Sequence, residues 1–221
     1  MADYKKPDYW QQKARKEGYP ARSVYKLKEI DEKFGLFKVQ RAAFRVLDLG
    51  AAPGSWSLYV LRKMAAMESG KDLKNNDSKN RGFLAAADLS PLSREFDKGL
   101  FDGENFFFVQ GDIIAAETRE TLLSKGPFST IISDAAPGTT GSHTVDAARS
   151  LELAEAVVAY AETALSGGGN LALKIFQGGG SDALLKRMKT LFETAKSFKP
   201  QACRGESVET YFIGLGKKAF M

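Results

Sequence analysis

Five apolar runs in this 221-residue sequence carry or lead into groups that can do chemistry. "FRVLDL" carries Asp48 and runs into Gly50, "GFLAAAD" ends on Asp88, "FFFVQ" leads to Gly111 and Asp112, and "FSTIISD" ends on Asp134. The fifth, "NLALKIF", holds Lys174 where another apolar residue would be expected, with Gln177 just after it. An ammonium buried without a partner costs several kcal/mol, so Lys174 either sits at an open strand end or is compensated there. Carboxylates in such places accept hydrogen bonds from ribose hydroxyls or an amino group. A lysine among them can take up a proton or steady a developing negative charge. A sheet kept only for its stability needs none of these groups.

The elements that must position them follow from periodicity. Apolar runs at 44–49, 82–88, 106–110, 128–134, 170–176 and 209–216 read as strands. The stretches "WSLYVLRKMAAM" and "DAARSLELAEAVVAYAETAL" read as helices, the second stopping at "SGGG". "SDALLKRMKTLFETA" reads as a further helix opened by a serine cap. Strands alternating with helices predict an α/β fold with a mostly parallel sheet. Residues 69 to 81 are polar and aperiodic, which reads as a mobile surface loop. In such a sheet ligands bind outside the carboxyl ends of the strands, where strand order reverses.

The first turn, "DLGAAPG", narrows the ligand. Gly50 and Gly54 allow close backbone approach and Pro53 stiffens the turn. The spacing is not G-x-G-x-x-G and no Gly-Lys-Ser/Thr follows, so neither a pyrophosphate-binding turn nor a P-loop fits. An uncharged turn beside acidic residues suits a cationic ligand carrying an adenosine, namely S-adenosylmethionine. Asp88 is placed for the ribose hydroxyls and Asp112 for the adenine amino group. Plainer readings compete: a tight connection for the glycines, a core aromatic for Trp56, a turn-orienting role for Asp48, solvation for Lys28, a loop position for His143 and inertness for Cys203.

With 43% hydrophobic and 27% charged residues the chain reads as soluble, globular and one domain. No apolar run approaches the ~20 residues of a membrane span and no apolar core follows the first charges, which predicts a cytoplasmic protein without a membrane partner. One cysteine and one histidine exclude an intrachain disulfide and argue against a Cys/His metal site; nothing requires a metal. The net charge of +5 is unevenly spread: residues 1–45 hold 12 Lys+Arg against 6 Asp+Glu, and the remainder 20 against 21. Tyr4, Tyr9, Trp10, Tyr19 and Tyr25 interleave with that basic segment, a combination that suits phosphates and stacked bases. Residues 1–45 are therefore an RNA-docking candidate through Lys13, Arg15, Lys16 and Arg22, with a solvated amphipathic helix as the alternative. Glu17, Glu29, Asp31 and Glu32 break the positive face that a membrane-surface helix would need.

Over nearly its whole length the chain resembles the FtsJ/RrmJ (RlmE) family of 2′-O-ribose RNA methyltransferases. The blocks that carry the resemblance are "EGYPARSVYKLKEIDEKFGLFK", "VLDLGAAPGSW", "SDAAP", "VDAARS", "LALKIFQG" and "ESVETYFIG". It implies a Rossmann-like class I methyltransferase fold, a seven-stranded, mostly parallel sheet with helices on both faces. It further implies a catalytic tetrad of Lys26, Asp134, Lys174 and Glu209, Glu209 being preferred to Glu206 by family spacing and alternation. In that tetrad we assign Lys174 as proton acceptor, with Asp134 and Lys26 positioning it and the ribose and Glu209 orienting the lysines; a charged Lys174 that stabilises the developing negative charge is the alternative. The implied cofactor residues are Gly54, Trp56, Asp88, Asp112 and Asp134, to which the turn reading adds Gly50. The implied substrate is a uridine of large-subunit (23S-type) ribosomal RNA, free or in the ribosomal subunit, acted on by a monomer. Three departures stand out: Ser55 and Gly138 replace a common Gly and Asn, and the 69–81 loop is long. A tRNA or cap-type 2′-O-methyltransferase and a non-catalytic RNA-binding protein remain alternatives, the latter opposed by the intact tetrad. A nicotinamide-dependent oxidoreductase is opposed by the missing G-x-G-x-x-G.

Overall fold

The computed structural model describes residues 9–38, 44–69, 82–204 and 207–219. In chain order the elements are α1 (Tyr9–Lys16), α2 (Val24–Phe34), β1 (Arg45–Leu49), α3 (Ser55–Ser69), β2 (Phe83–Asp88), β3 (Phe106–Gln110), α4 (Ala116–Leu123), β4 (Phe128–Ser133), α5 (His143–Ala164), β5 (Leu165–Phe176), α6 (Ser181–Leu191), β6 (Phe192–Phe198) and β7 (Glu209–Lys217). The strands form one sheet in the order β3-β2-β1-β4-β5-β7-β6, parallel except for β7, which is antiparallel to β5 and β6. Strand order reverses between β1 and β4, so the crevice for a ligand lies at their carboxyl ends.

Side-chain alternation divides the core into two layers. Leu47 and Leu49 of β1, Ile131 of β4, Leu171, Leu173 and Ile175 of β5 and Phe212 of β7 pack with α4, α5 and α6. Val46, Ile132, Ala172, Tyr211 and Ile213 take the opposite face, with α1, α2 and α3. The parity places the polar residues of the same strands: Asp48 follows Val46, Asp134 follows Ile132, Lys174 follows Ala172 and Glu209 precedes Tyr211. All four therefore turn toward the α2/α3 side, at the end of the sheet where β1, β4 and β5 finish.

Two boundaries differ from the sequence reading. The helix expected over 181–195 stops at Leu191, and residues 192–198 form the edge strand β6 instead, paired along β7 from Phe192↔Lys217 to Phe198↔Tyr211. The Phe192 ring lies where a Cβ on Gly214 would be, 2.7 Å away, so a bare glycine in β7 makes room for the strand. β5 begins at Leu165 rather than 170, taking in the glycines expected to end a helix, with an irregularity where Phe128↔Leu165 gives way to Thr130↔Asn170. Beyond Ser69, the expected mobile loop lies outside the described residues.

The basic N-terminal segment is bound into the α2/α3 layer. Ala14, Tyr19, Val24, Leu27 and Ile30 share a core cluster with Trp56, Leu58 and Leu61 of α3. Ser55, one of the departures from the family pattern, accepts from the Ala21 amide at 2.8 Å and donates to the Ala21 carbonyl at 3.2 Å, tying the segment to the start of α3. Lys28, expected to be solvated, pairs with Glu17 at 2.6 Å and lies over the Tyr19 and Tyr25 rings.

Candidate active site

The parity of the strands brings three of the tetrad residues together, and α2 lays the fourth over them. Lys174 pairs with Asp134 Oδ1 at 3.1 Å and donates to the Asp134 carbonyl at 2.5 Å. Lys26 pairs with Glu209 Oε1 at 2.7 Å. Antiparallel register sets Phe176 opposite Glu209 and Lys174 opposite Tyr211, which locks the two ion pairs side by side. The buried ammonium that looked misplaced in an apolar strand is thus compensated by a carboxylate and a carbonyl.

Tyr211 joins the pairs and was not singled out from sequence. Its hydroxyl donates to Asp134 Oδ1 at 2.6 Å, its ring lies 5.9 Å from Lys26 Nζ, and Trp56 packs 6.0 Å away on it. The available signal was alternation: two residues after Glu209, Tyr211 must share its face.

Charge states follow from these contacts. Burial alone would push Asp134 up, but Lys174, Lys26 and the Tyr211 hydroxyl outweigh it and hold the carboxyl below its usual range. Burial pulls Lys26 down, yet Asp134 and Glu209 more than offset it and leave its pKa raised. Burial raises the Tyr211 phenol well above its usual value, with Asp134 and Glu209 adding to the shift. Cys203 sits close by, its thiol pushed up to about 12 by burial and then by Glu209, so it is not a nucleophile at neutral pH.

Asp48 stands apart. It is fully buried, accepts from Ser57 Oγ at 2.7 Å through Oδ2, and its Oδ1 has no donor among the described residues. Burial pushes its pKa up to about 7 against the Ser57 hydrogen bond, and Asp134 and Asp88 add to the rise.

Next to the tetrad a cavity of about 330 Å³ opens between the ends of β1, β2, β3 and β4; Gly50, Asp88, Gly111, Asp112, Ile113 and Ala135 are among its lining. Asp88 takes the Ala52 amide on Oδ2 at 2.9 Å and the Ser90 amide on Oδ1 at 2.8 Å; Asp112 takes the Ile114 amide at 2.9 Å. A carboxylate offers about four lone-pair sites, so both retain capacity for a ligand's donors. Gly138 lies on the rim, where a Cβ would meet nothing within 4 Å.

Several expectations change in their physical reason. Gly50 (φ +78°) and Gly54 (φ +107°) are needed by the chain itself: a Cβ would fall 2.5 Å from Ala135 Cα and 2.9 Å from the Phe101 ring, respectively. Trp56 lies outside the cavity lining, buried, with its indole donating to the Ser23 carbonyl at 2.9 Å. Of the four basic residues expected to face RNA, Arg15 and Lys16 are exposed. Lys13 lies over the Trp10 and Tyr25 rings and Arg22 donates to the Ala202 carbonyl at 3.0 Å. Glu206, the competitor of Glu209, lies outside the described residues.

The family model of FtsJ-like methyltransferases matches residues 19–217. The chain belongs to the FtsJ-like methyltransferase family. Two relatives support the assignment, both called ribosomal RNA large subunit methyltransferase E. That of Treponema denticola is 45% identical over 215 residues, covering 97% of each chain. That of Borreliella afzelii is 41% identical over 207 residues, covering 94% of this chain and 96% of the other. Among solved structures, a ribosomal RNA methyltransferase from Plasmodium falciparum has a TM-score of 0.70 at 22% identity, over 91% of this chain and 100% of that one. Human methyltransferase-like protein 13, in complex with SAH, has a TM-score of 0.53 at 12% identity, over 87% and 84%. At these identities the structural likeness is one of fold. An FtsJ-like methyltransferase thus presents two linked ion pairs beside an acid-lined cavity, with Asp134 and Ala135 at the junction.

Proposed function

We propose that this chain transfers a methyl group from S-adenosylmethionine to the 2′-hydroxyl of a ribose, on a uridine of large-subunit ribosomal RNA. The observation that carries the reading is the pair of lysines compensated by Asp134 and Glu209, next to an acid-lined cavity whose wall includes Ala135, the residue after Asp134. The names of the 41–45% identical relatives favour the ribosomal substrate over tRNA or a cap. We read the chain as one methyltransferase domain whose first 45 residues dock RNA, acting as a cytoplasmic monomer without a metal. Among the described residues, no helix is long and apolar enough to cross a membrane.

The donor set of the cavity fits the cofactor. Asp88 and Asp112 have lone pairs left for ribose hydroxyls and the adenine amino group, and Leu89 and Ile113 add apolar wall. Gly50 and Gly54 shape the turn that leads into α3, and Trp56 supports it from outside the cavity, its indole held by the Ser23 carbonyl. Asp134, next in the chain to the lining residue Ala135, is assigned to both sites.

When bound, S-adenosylmethionine supplies an electrophilic methyl group on a sulfonium sulfur, which keeps the bonding electron pair as the methyl leaves. Lys174, once its ammonium has passed a proton to solvent, takes the 2′-hydroxyl proton on Nζ while the O–H electron pair stays on the oxygen that forms the new O–C bond. Asp134 and its own carbonyl fix Nζ at the strand end, so orientation supplies much of the acceleration. Lys26, kept protonated by Asp134 and Glu209, faces the ribose oxygen and steadies its growing negative charge. Radiolabelled methyl transfer to total RNA and to purified ribosomal subunits, with mapping of the modified ribose, tests the reading. A label on a large-subunit 2′-oxygen supports it; a label confined to tRNA, or none, removes it.

A further inference from the structure

The loop between β6 and β7 is built against the basic N-terminal segment. Glu29 of α2 accepts the Gln201 and Ala202 amides at 2.6 and 2.9 Å, and Arg22 donates to the Ala202 carbonyl. Lys199 Nζ donates to the Ser207 carbonyl at 2.7 Å, and the Ser207 amide to the Arg204 carbonyl at 3.0 Å. Ser207 Oγ then takes the Glu209 amide at 3.1 Å, so the turn leads directly into the tetrad. Arg204 is exposed, while its neighbour Cys203 is buried near Glu209 and Lys26.

This arrangement gathers like charges. Arg22 is hydrogen-bonded to the carbonyl of Ala202, two residues before Arg204; burial lowers its pKa, Arg204 adds to the lowering and Glu209 opposes it. A guanidinium on this carboxylate-anchored turn and a second one hydrogen-bonded to it can share an anion, and guanidinium geometry matches phosphate oxygens bidentately. The fold has placed that pair one short turn from Glu209, on the α2 side that carries the N-terminal basic residues.

We propose that Arg204, held by the Glu29-anchored turn, contacts a backbone phosphate of the RNA beside the reacting ribose and extends the RNA path from α1 across Arg22 to the tetrad. The inference rests on the RNA-methylation reading above and adds to it a phosphate subsite outside the N-terminal segment. Glu29 is a positioning residue in it, acting through the turn.

The test uses the full chain and purified large-subunit ribosomal RNA, with filter binding across a salt series and single-turnover methyl transfer. Arg204→Ala is expected to weaken RNA binding about tenfold and lower the log–log salt slope by ~0.7–0.9, the change due to one phosphate that is no longer neutralised. The rate at saturating RNA and the S-adenosylmethionine affinity hold, and Arg204→Lys keeps the slope. Glu29→Ala makes the sharper comparison, because removing a negative charge from a docking face should by charge alone tighten RNA binding. Weaker binding supports a positioned Arg204; equal or tighter binding overturns it. Unchanged affinity and slope in Arg204→Ala, or a fall in the saturating rate with affinity intact, also overturns the inference. Absence of RNA methylation by the wild type would instead remove the proposed function, a separate outcome of the same assays.

Discussion

Asp134 and Asp48 end neighbouring parallel strands and face the same side of the sheet, yet they titrate in opposite directions. Asp134 has two ammonium groups and a phenol around it; Asp48 has one serine hydroxyl and an oxygen with no donor among the described residues. Asp48 is fully buried and the Asp134 side chain 17% exposed, but the sign of each shift is set by the partners. The lesson is that, of these two carboxyls on the α2/α3 side of the sheet, the one held as an anion is the one to which the fold brings cations, and those cations are the lysines proposed to do the chemistry.

Removing Asp134's charge should break this balance most severely. Asp134→Asn leaves Lys174 and Lys26 facing each other in a confined site, and loss of one partner from such a cluster costs about 3–5 kcal/mol. Denaturant unfolding at pH 7 measures it. The wild-type contribution has the sign of a depressed carboxyl: present above the unfolded value of 3.8 and lost as pH falls through the folded one. A stability equal to wild type at pH 7 would mean the lysines do not depend on Asp134.

Lys174 comes next. Lys174→Ala should cut single-turnover methyl transfer by at least ~10²-fold, the scale of a lost general base, with cofactor affinity nearly intact. Lys174→Arg keeps the charge facing Asp134 but cannot accept a proton. Substantial activity in the arginine variant would move Lys174 from proton acceptor to electrostatic stabiliser, making it a second Lys26.

Asp88 and Asp112 sharpen the comparison from the cavity side, where carboxylates answer to backbone amides and a ligand instead of to lysines. Replacing either by Ala should weaken S-adenosylmethionine binding by roughly 1–3 kcal/mol, read by calorimetry. Unchanged affinity in both folded variants would leave the cavity without its assigned ligand contacts.

Asp48→Asn should be the exception that stabilises. With a folded pKa of about 7 against 3.8 unfolded, Asp48 remains protonated in the fold while it ionises in the unfolded chain. Its cost therefore grows as pH rises from 3.8 and is complete above about 7. The Asn variant should gain on the order of 1 kcal/mol at pH 8 and lose that advantage near pH 4, judged by unfolding at both pH values. The smallest effect belongs to the exposed cations of α1: neutralising Arg15 and Lys16 should lower the RNA-binding salt slope by ~0.7–0.9 for each phosphate they would otherwise neutralise, without moving cofactor affinity.

Much of this was legible in the sequence because strand ends announce themselves. The apolar runs ending near Asp88, Asp112, Asp134 and Lys174 located the crevice, and alternation favoured Glu209. Lys26 came only from the family resemblance, since nothing local distinguishes it from Lys28 two residues on; tertiary placement buries one against Glu209 and sends the other to Glu17. β6 was hidden for a similar reason. "FETAKSF" has the composition of a helix continuation and no glycine or proline to stop α6, and the deciding partner, β7, is distant in sequence. The charge state of Asp48 was equally unreadable, because a missing hydrogen-bond donor is a fact of three dimensions.

The order of the last two strands bears on how the protein is made. β7 follows β6 in the chain but inserts between β5 and β6, and its first residue is Glu209. A growing polypeptide therefore reaches residue 198 with its edge strand synthesised and no neighbour to pair with, and Lys26, made long before, still lacks its counter-ion. Sheet closure and completion of the proposed active centre become one late event in biosynthesis, so a nascent chain stopped short of β7 has neither a completed sheet nor the Lys26–Glu209 pair.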